Sequence, residues 1–225
     1  MRIVLDDKKL KQALEKKGHF YISGVSYNGS FGSKDILIKQ KKTPVISLID
    51  TDKDKILGSL HDTTRNEVKR TFKMPELSFR LPDDNRSEIY KLYKKFEKKG
   101  GRIVRRKSYF KNSIFAGAYW KDKLIAGIIC YDIFPYLRVN AIVSERLQES
   151  EIKKAVSFAT RRLIFELCSH GMQKGYLLID LGGVNLEEKE KSGITAFKMS
   201  FGGELINEYT YTYKSPVFKI FSFLR

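Results

Sequence analysis

No run of about 18 or more apolar residues occurs in this 225-residue chain, so the sequence offers no recognisable membrane-spanning helix. A secretion signal is missing too, because MRIVLDDKKLKQ turns charged almost at once, and the expected location is cytoplasmic. Only two cysteines are present, Cys130 in an apolar stretch and Cys168 on a helical one. Their spacing is not that of a metal site, and buried free thiols are expected. No repeat, low-complexity tract or linker stands out. Acidic residues are few, with 26 Asp and Glu against 43 Lys and Arg. The formal charge of +17 sets up a field that attracts anions and raises their encounter rate at low salt. Charge alone does not choose among a nucleotide, a tRNA, a CoA pyrophosphate, a lipid-pyrophosphate head group and peripheral contact with an anionic membrane.

The hydrophobic content of 42% is enough for a sizeable core. The expectation is one unit over 1–225, in which 1–80 can be read as an N-terminal lobe or partial repeat and 81–225 as the main core. Residues 5–17 carry Leu10 and Leu14 at helical spacing, with Gly18 as a stop. HFYISGVSY, DILIKQ and PVISLID read as three strands, with Thr43-Pro44 as a turn signal. In 60–73, Thr64 followed by Glu67 fits a capping box, with Asp62 and Thr63 as competing caps. Arg65 and Lys69 share a face there, so the free N–H groups of a helix start beside cations form a candidate anion site with Arg70.

MPELSFRLP alternates as a strand, and Ile89, Leu92, Tyr93 and Phe96 mark a helix ended by Gly100-Gly101. The basic run Arg102, Arg105, Arg106 and Lys107 follows, a phosphate contact or a solvated loop. Residues 113–119 and 124–132 form a hairpin of strands apolar on both faces, so they belong inside a covered sheet. A third strand over 136–143 leads into a long helix over 149–170 with Gly171 as its cap. Leu205 to Tyr213 alternates strongly, and 216–223 reads as the second member of a closing strand pair.

The chemistry concentrates in YLLIDLGGVNLEEKEKSGITAFKMSFGGE, residues 176–204. An apolar strand should carry Asp180 out of the core at its C-terminal end. Gly182 and Gly183 permit close backbone approach or a positive φ. Lys198 lies between Phe197 and Phe201, where partial desolvation would make one positive charge count for more than in water. On the next strand Tyr209, Tyr211 and Tyr213 form a stripe suited to stacking on a base or sugar, or to packing.

The order apolar strand, D-L-G-G, loop, F-K-x-x-F-G-G resembles the closing part of the FemAB-type aminoacyl/acyltransferases of the GNAT superfamily. LHDTTRNEVKR (60–70) resembles that family's threonine-arginine helix start, and SYFKNSIFAGAYWKDKLIAGIICYD (108–132) its central hairpin. The resemblance implies a GNAT, acyl-CoA N-acyltransferase-like α+β or α/β fold with a mixed central sheet flanked by helices. It implies an aminoacyl-tRNA donor and an amine acceptor on a cell-wall precursor, with Lys198 stabilising the oxyanion; Asp180, read from its own place in the sequence, either orients the attacking amine or accepts its proton, or caps the Gly182-Gly183 turn. Arg65, Lys69, Arg70, Gly182, Gly183, Phe201 and Tyr211 are the substrate- and phosphate-binding candidates. The junction SERLQESEIKKA (144–155) lacks the glycines with which ordinary GNAT enzymes cradle the CoA pyrophosphate, as FemAB-type proteins also do.

The chain is shorter than typical FemAB proteins and lacks the coiled-coil arm of some. An amino-sugar acceptor in surface-polysaccharide synthesis, with acyl-CoA or an acyl carrier protein as the phosphopantetheine donor, is therefore kept open. The donor is a substrate, so no bound cofactor and no metal are expected. The competing class is a non-catalytic nucleic-acid-binding protein whose aromatic strands stack on bases.

Overall fold

A computed structural model describes residues 1–145, 150–186 and 192–218. The elements begin with β1 (Arg2–Val4), α1 (Asp7–Lys16), β2 (Tyr21–Ser26), β3 (Ile36–Ser47), α2 (Lys53–Ser59), α3 (Asp62–Thr71), β4 (Leu77–Arg80) and α4 (Arg86–Lys99). After a short 3₁₀ turn (Lys107–Phe110) come β5 (Ser113–Trp120), β6 (Lys123–Ile133), β7 (Tyr136–Ser144), α5 (Ser150–Gln173), β8 (Leu178–Asp180), α6 (Ser192–Met199) and β9 (Glu204–Lys214).

Contacts divide the chain into two compact units. The first comprises Met1–Pro44, Gly183–Thr195 and Glu204–Arg225, and the second Val45–Gly182 and Ala196–Gly203. One boundary falls after Pro44, and the C-terminal strand belongs with the N-terminal segment. Sequence proximity gave no hint of that return.

In the first unit the strand order is β1-β2-β9-β3, with β1 parallel and β9 antiparallel to β2. Asp6 caps α1 by accepting from the Lys9 N–H, and Lys17 in the left-handed region ends the helix one residue before the expected Gly18. Leu10 and Leu14 of α1 pack with Ile3, Ile22, Tyr211 and Tyr213. DILIKQ and PVISLID form one strand, not two. Pro44 has no N–H to donate and its fixed φ suits extended backbone, so Thr43-Pro44 continues β3 instead of turning it. Residues 216–218 form a helical turn, and the remainder of the expected closing strand lies outside the described residues.

In the second unit the order is β3-β8-β7-β6-β5-β4, of which only β7 and β8 are parallel. The two-residue turn between β5 and β6 places Lys121 and Asp122 at positive φ, as a tight hairpin requires. One face of the sheet carries α4, with Ile89, Leu92 and Tyr93 set on Phe115, Ile129 and Val143. The other face carries α5 and α3, with Ala159, Leu163, Ile164 and Leu167 set on Ala116, Ile128 and Cys130. The β7-α5-β8 unit is the parallel crossover expected from the order of elements. α5 runs through Gly171, the predicted cap. A Cβ there would lie 2.5 Å from Leu48 Cδ1, so this glycine serves close packing and not termination.

The helix expected at 60–73 is α3, preceded by the separate α2, and it starts at Asp62 behind an N-cap, His61, whose side chain makes no capping bond. The expected Thr64–Glu67 capping box does not form, because Thr64 is buried and bonds Ser200, while Glu67 pairs with Arg161 at 3.0 Å. Tertiary partners outcompete the local cap. Among the described residues no helix is long and apolar enough to cross a membrane.

Candidate active site

At the end of β8 a chain of four groups leads outward from the core. Asp180 is fully buried rather than projecting from the strand end. Its register partner on β7 is Arg138, and one carboxylate oxygen accepts from that guanidinium. A buried carboxylate is tolerable only when paired and hydrogen-bonded, which explains why Asp180 stays inside. The other oxygen accepts the Gly182 N–H at 2.7 Å. Gly182 has φ +77°, a conformation glycine adopts without penalty, and its carbonyl accepts from Lys198 Nζ at 2.9 Å. A Cβ at Gly182 would sit 3.4 Å from that ammonium and 3.3 Å from the Val139 carbonyl. Glycine here leaves Lys198 its room.

Lys198 is half-buried at the end of α6, which α3 holds in place. The Thr64 hydroxyl donates to Ser200 Oγ at 2.8 Å, and the His61 N–H to the Ser200 carbonyl at 3.0 Å. Phe201 is buried in the core, with its ring edge-on to Phe197 at 5.2 Å. The Arg161 guanidinium covers Phe197 at 5.4 Å. Helix, turn and core thus fix Lys198 at both its stem and its tip.

Arg138 was not anticipated from the sequence. The signal was one cation inside the apolar run YLRVNAIV, because a charge in a covered strand needs a counter-charge nearby. Register extends the site sideways across the sheet, since Ser113 pairs with Tyr131, Tyr131 with Arg138, and Arg138 with Asp180. Directly paired residues share a face, and Tyr131 meets the Tyr109 ring at 6.0 Å. This row therefore lies on the α4 side of the sheet. Arg105 joins it there, donating to Tyr109 Oη at 2.7 Å and Asn140 Oδ1 at 3.1 Å.

The other expected residues are distributed differently. Arg65 pairs with Asp62 and donates to the Gly58 carbonyl at 2.9 Å, bracing the α2–α3 connection. Lys69 is exposed further along α3, and Arg70 lies over the Phe158 ring at 5.8 Å. These three do not converge on the α3 N-terminus. Gly183 and Tyr211 belong to the first unit. Tyr211 is fully buried and donates to the Asn28 carbonyl, so its ring has no exposed face on which a base could stack. The glycine-free junction at 144–155 lies partly outside the described residues, as does the charged loop at 187–191.

Burial pushes both thiols up, Cys168 to about 12, and leaves them poor nucleophiles. Among the described residues no group of His, Cys, Asp and Glu is arranged to hold a metal.

No protein-family model matches the sequence, and a search of curated proteins finds no match. Solved structures are similar. FemX superposes with a TM-score of 0.66 at 14% identity, covering 95% of this chain and 77% of that one. The C-terminal domain of a putative lysylphosphatidylglycerol synthetase from Agrobacterium fabrum gives 0.62 at 11% identity, covering 98% and 79%. L-PGS from Bacillus licheniformis gives 0.58 at 12% identity, covering 99% and 81%. With its mixed sheet, its β7-α5-β8 crossover and these neighbours, the chain has a FemAB-type, GNAT-like fold.

Proposed function

We propose that the chain is a transferase that moves an aminoacyl group from an aminoacyl-tRNA to an amine on a cell-wall or surface-polysaccharide precursor. The amine nitrogen attacks the ester carbonyl, the carbon–oxygen bond to the ribose breaks as the amide bond forms, and the amine's proton passes to the departing hydroxyl. Negative charge grows on the carbonyl oxygen during the attack, and Lys198 is the cation assigned to it. The observation that carries this reading is the fixed, half-buried ammonium of Lys198 on the Gly182 carbonyl at the end of β8.

Of the two readings open to Asp180, its bond from the Gly182 N–H supports the turn cap. Both its oxygens accept from protein donors, so it acts as a positioning residue that holds Gly182, and through Gly182 holds Lys198. The names of FemX and of the lysylphosphatidylglycerol synthetases lend support to an aminoacyl donor over acyl-CoA or an acyl carrier protein. The nucleic-acid-binding alternative loses its stacking stripe with the burial of Tyr211.

The test is an amide-forming assay that offers aminoacyl-tRNA, acyl-CoA and acyl carrier protein thioesters to amino-sugar and peptide amines. Native protein should consume the aminoacyl ester. Lys198→Ala should lose about 10²–10³ in rate, the usual cost of removing one oxyanion donor. Absence of turnover with every donor, or an unimpaired Lys198→Ala, would reject the proposal.

A further inference from the structure

Part of the basic run after α4 gathers around a cavity. The start of α4, the 3₁₀ turn and the first residues of β5 enclose about 600 Å³, lined by Asp84, Arg86, Ser87, Lys107, Lys111 and Phe115 among others. Arg102 is paired with Glu97, and Arg105 with Tyr109 and Asn140. The cations of the cavity are not balanced in that way. Lys107 and Lys111 have no carboxylate within ion-pair reach among the described residues, and Asp84 is the single acid in the lining.

Arg86 is the fixed member of the group. Its guanidinium lies over the Phe115 ring at 4.6 Å, and Nη2 donates to the carbonyls of Phe110, Lys111 and Ser113 at 2.9, 3.2 and 3.2 Å. Its Nε and Nη1 make no hydrogen bond among the described residues. Ser113 falls on the same face of β5 as Phe115, is 8% exposed, and its hydroxyl has no partner among the described residues. Three cations around one open cavity repel each other unless an anion lies between them. A planar guanidinium flanked by two flexible ammonium groups suits phosphate oxygens.

We propose that this basin binds the phosphodiester backbone of an RNA strand. The assignment to the donor's RNA rests on the function proposed above; the basin's affinity for phosphate does not. Ser113, whose carbonyl accepts from the basin's Arg86, and Asp180, which holds the Gly182 that Lys198 bonds, are the ends of one register row three strand spacings long. At about 4.8 Å per spacing the row spans about 14 Å. A single RNA strand covers that span in a few nucleotides, so the basin would hold a phosphate close to the esterified end. A lone small phosphate would leave most of the cavity unfilled, which favours the strand.

The experiment compares native protein with Lys107→Ala/Lys111→Ala, two exposed positions whose truncation spares the core. Binding of a short fluorescein-labelled single-stranded RNA is followed by anisotropy across a salt series, with inorganic phosphate and a nucleoside diphosphate as competitors. Loss of two phosphate contacts lowers the salt slope by about 1.4 and weakens binding about 25-fold at about 0.1 M salt. In the transfer assay the same variant should raise KM for the RNA donor and leave kcat unchanged. An unaltered slope and KM overturn the proposal. So does millimolar phosphate or diphosphate displacing the RNA completely, which would make the basin a small-anion site. If transfer fails with native protein while the lysine-dependent RNA binding persists, the function proposed above falls and the basin stands.

Discussion

Replacing Arg138 by methionine would isolate the contribution of the buried ion pair. The methionine keeps much of the side chain's volume and removes its charge, leaving Asp180 fully buried with its counter-charge gone. Removing one partner of such a pair costs about 3–5 kcal/mol, against a total stability of about 5–15 kcal/mol. With a urea dependence of about 3 kcal/mol/M, the midpoint falls by about 1–1.7 M. Trp120, the sole tryptophan, stands on β5 in the same unit as the pair, so its fluorescence reports the relevant transition. Asp180→Asn keeps an acceptor for the Gly182 N–H and should cost less, about 1.5–3 kcal/mol. Combining Arg138→Met with Asp180→Asn should recover part of the loss, with a coupling of about 2 kcal/mol. A coupling below about 0.5 kcal/mol, or a midpoint shift below about 0.3 M for Arg138→Met, would refute the idea that this pair anchors the site.

Gly202 has φ +71°, and a Cβ on it would fall 2.1 Å from the Ser59 carbonyl oxygen, so Gly202→Ala should cost more than about 2 kcal/mol and lower the urea midpoint. Tyr211→Phe removes the bond to Asn28 and should cost about 1 kcal/mol by thermal melting with no change in RNA affinity; a large loss of RNA binding would restore the stacking role. Burial, aided by Lys174 and opposed by Asp132, holds the His170 pKa below its usual 6.5. Its contribution to stability is present above about pH 6.5 and is lost as pH falls through the folded value. His170→Gln should therefore flatten the decline of stability measured by urea titration below about pH 6.5. Lys198→Ala should leave the stability measured by urea unfolding within about 1 kcal/mol of native while transfer collapses, separating a chemical role from a structural one.

The long periodic segments were legible in the sequence. The β5–β6 hairpin, α4, α5 and the parallel return to β8 follow from apolar spacing, since each buries one well-marked face. Ends and caps were less legible. Thr64 looked like a cap because its spacing to Glu67 is right, yet both side chains answer to residues far away in the chain, Ser200 and Arg161. Pro44 looked like a turn because the sequence cannot state where a proline's missing N–H would have pointed. Lys198 could be singled out from its two phenylalanines, and Asp180 from its place before Gly-Gly. The role of Asp180 depends on Arg138, 42 positions earlier, and only sheet register brings the two together.

The pairing of β2 with β9 joins residues near 25 to residues near 210. During synthesis, most of the polypeptide must leave the ribosome before β2 meets that neighbour. Until then Leu10 and Ile22 lack Tyr211 and Tyr213, the apolar partners that cover them in the folded unit. A C-terminal truncation that removes β9 should consequently yield insoluble protein, even though it leaves Lys198 and its supports intact.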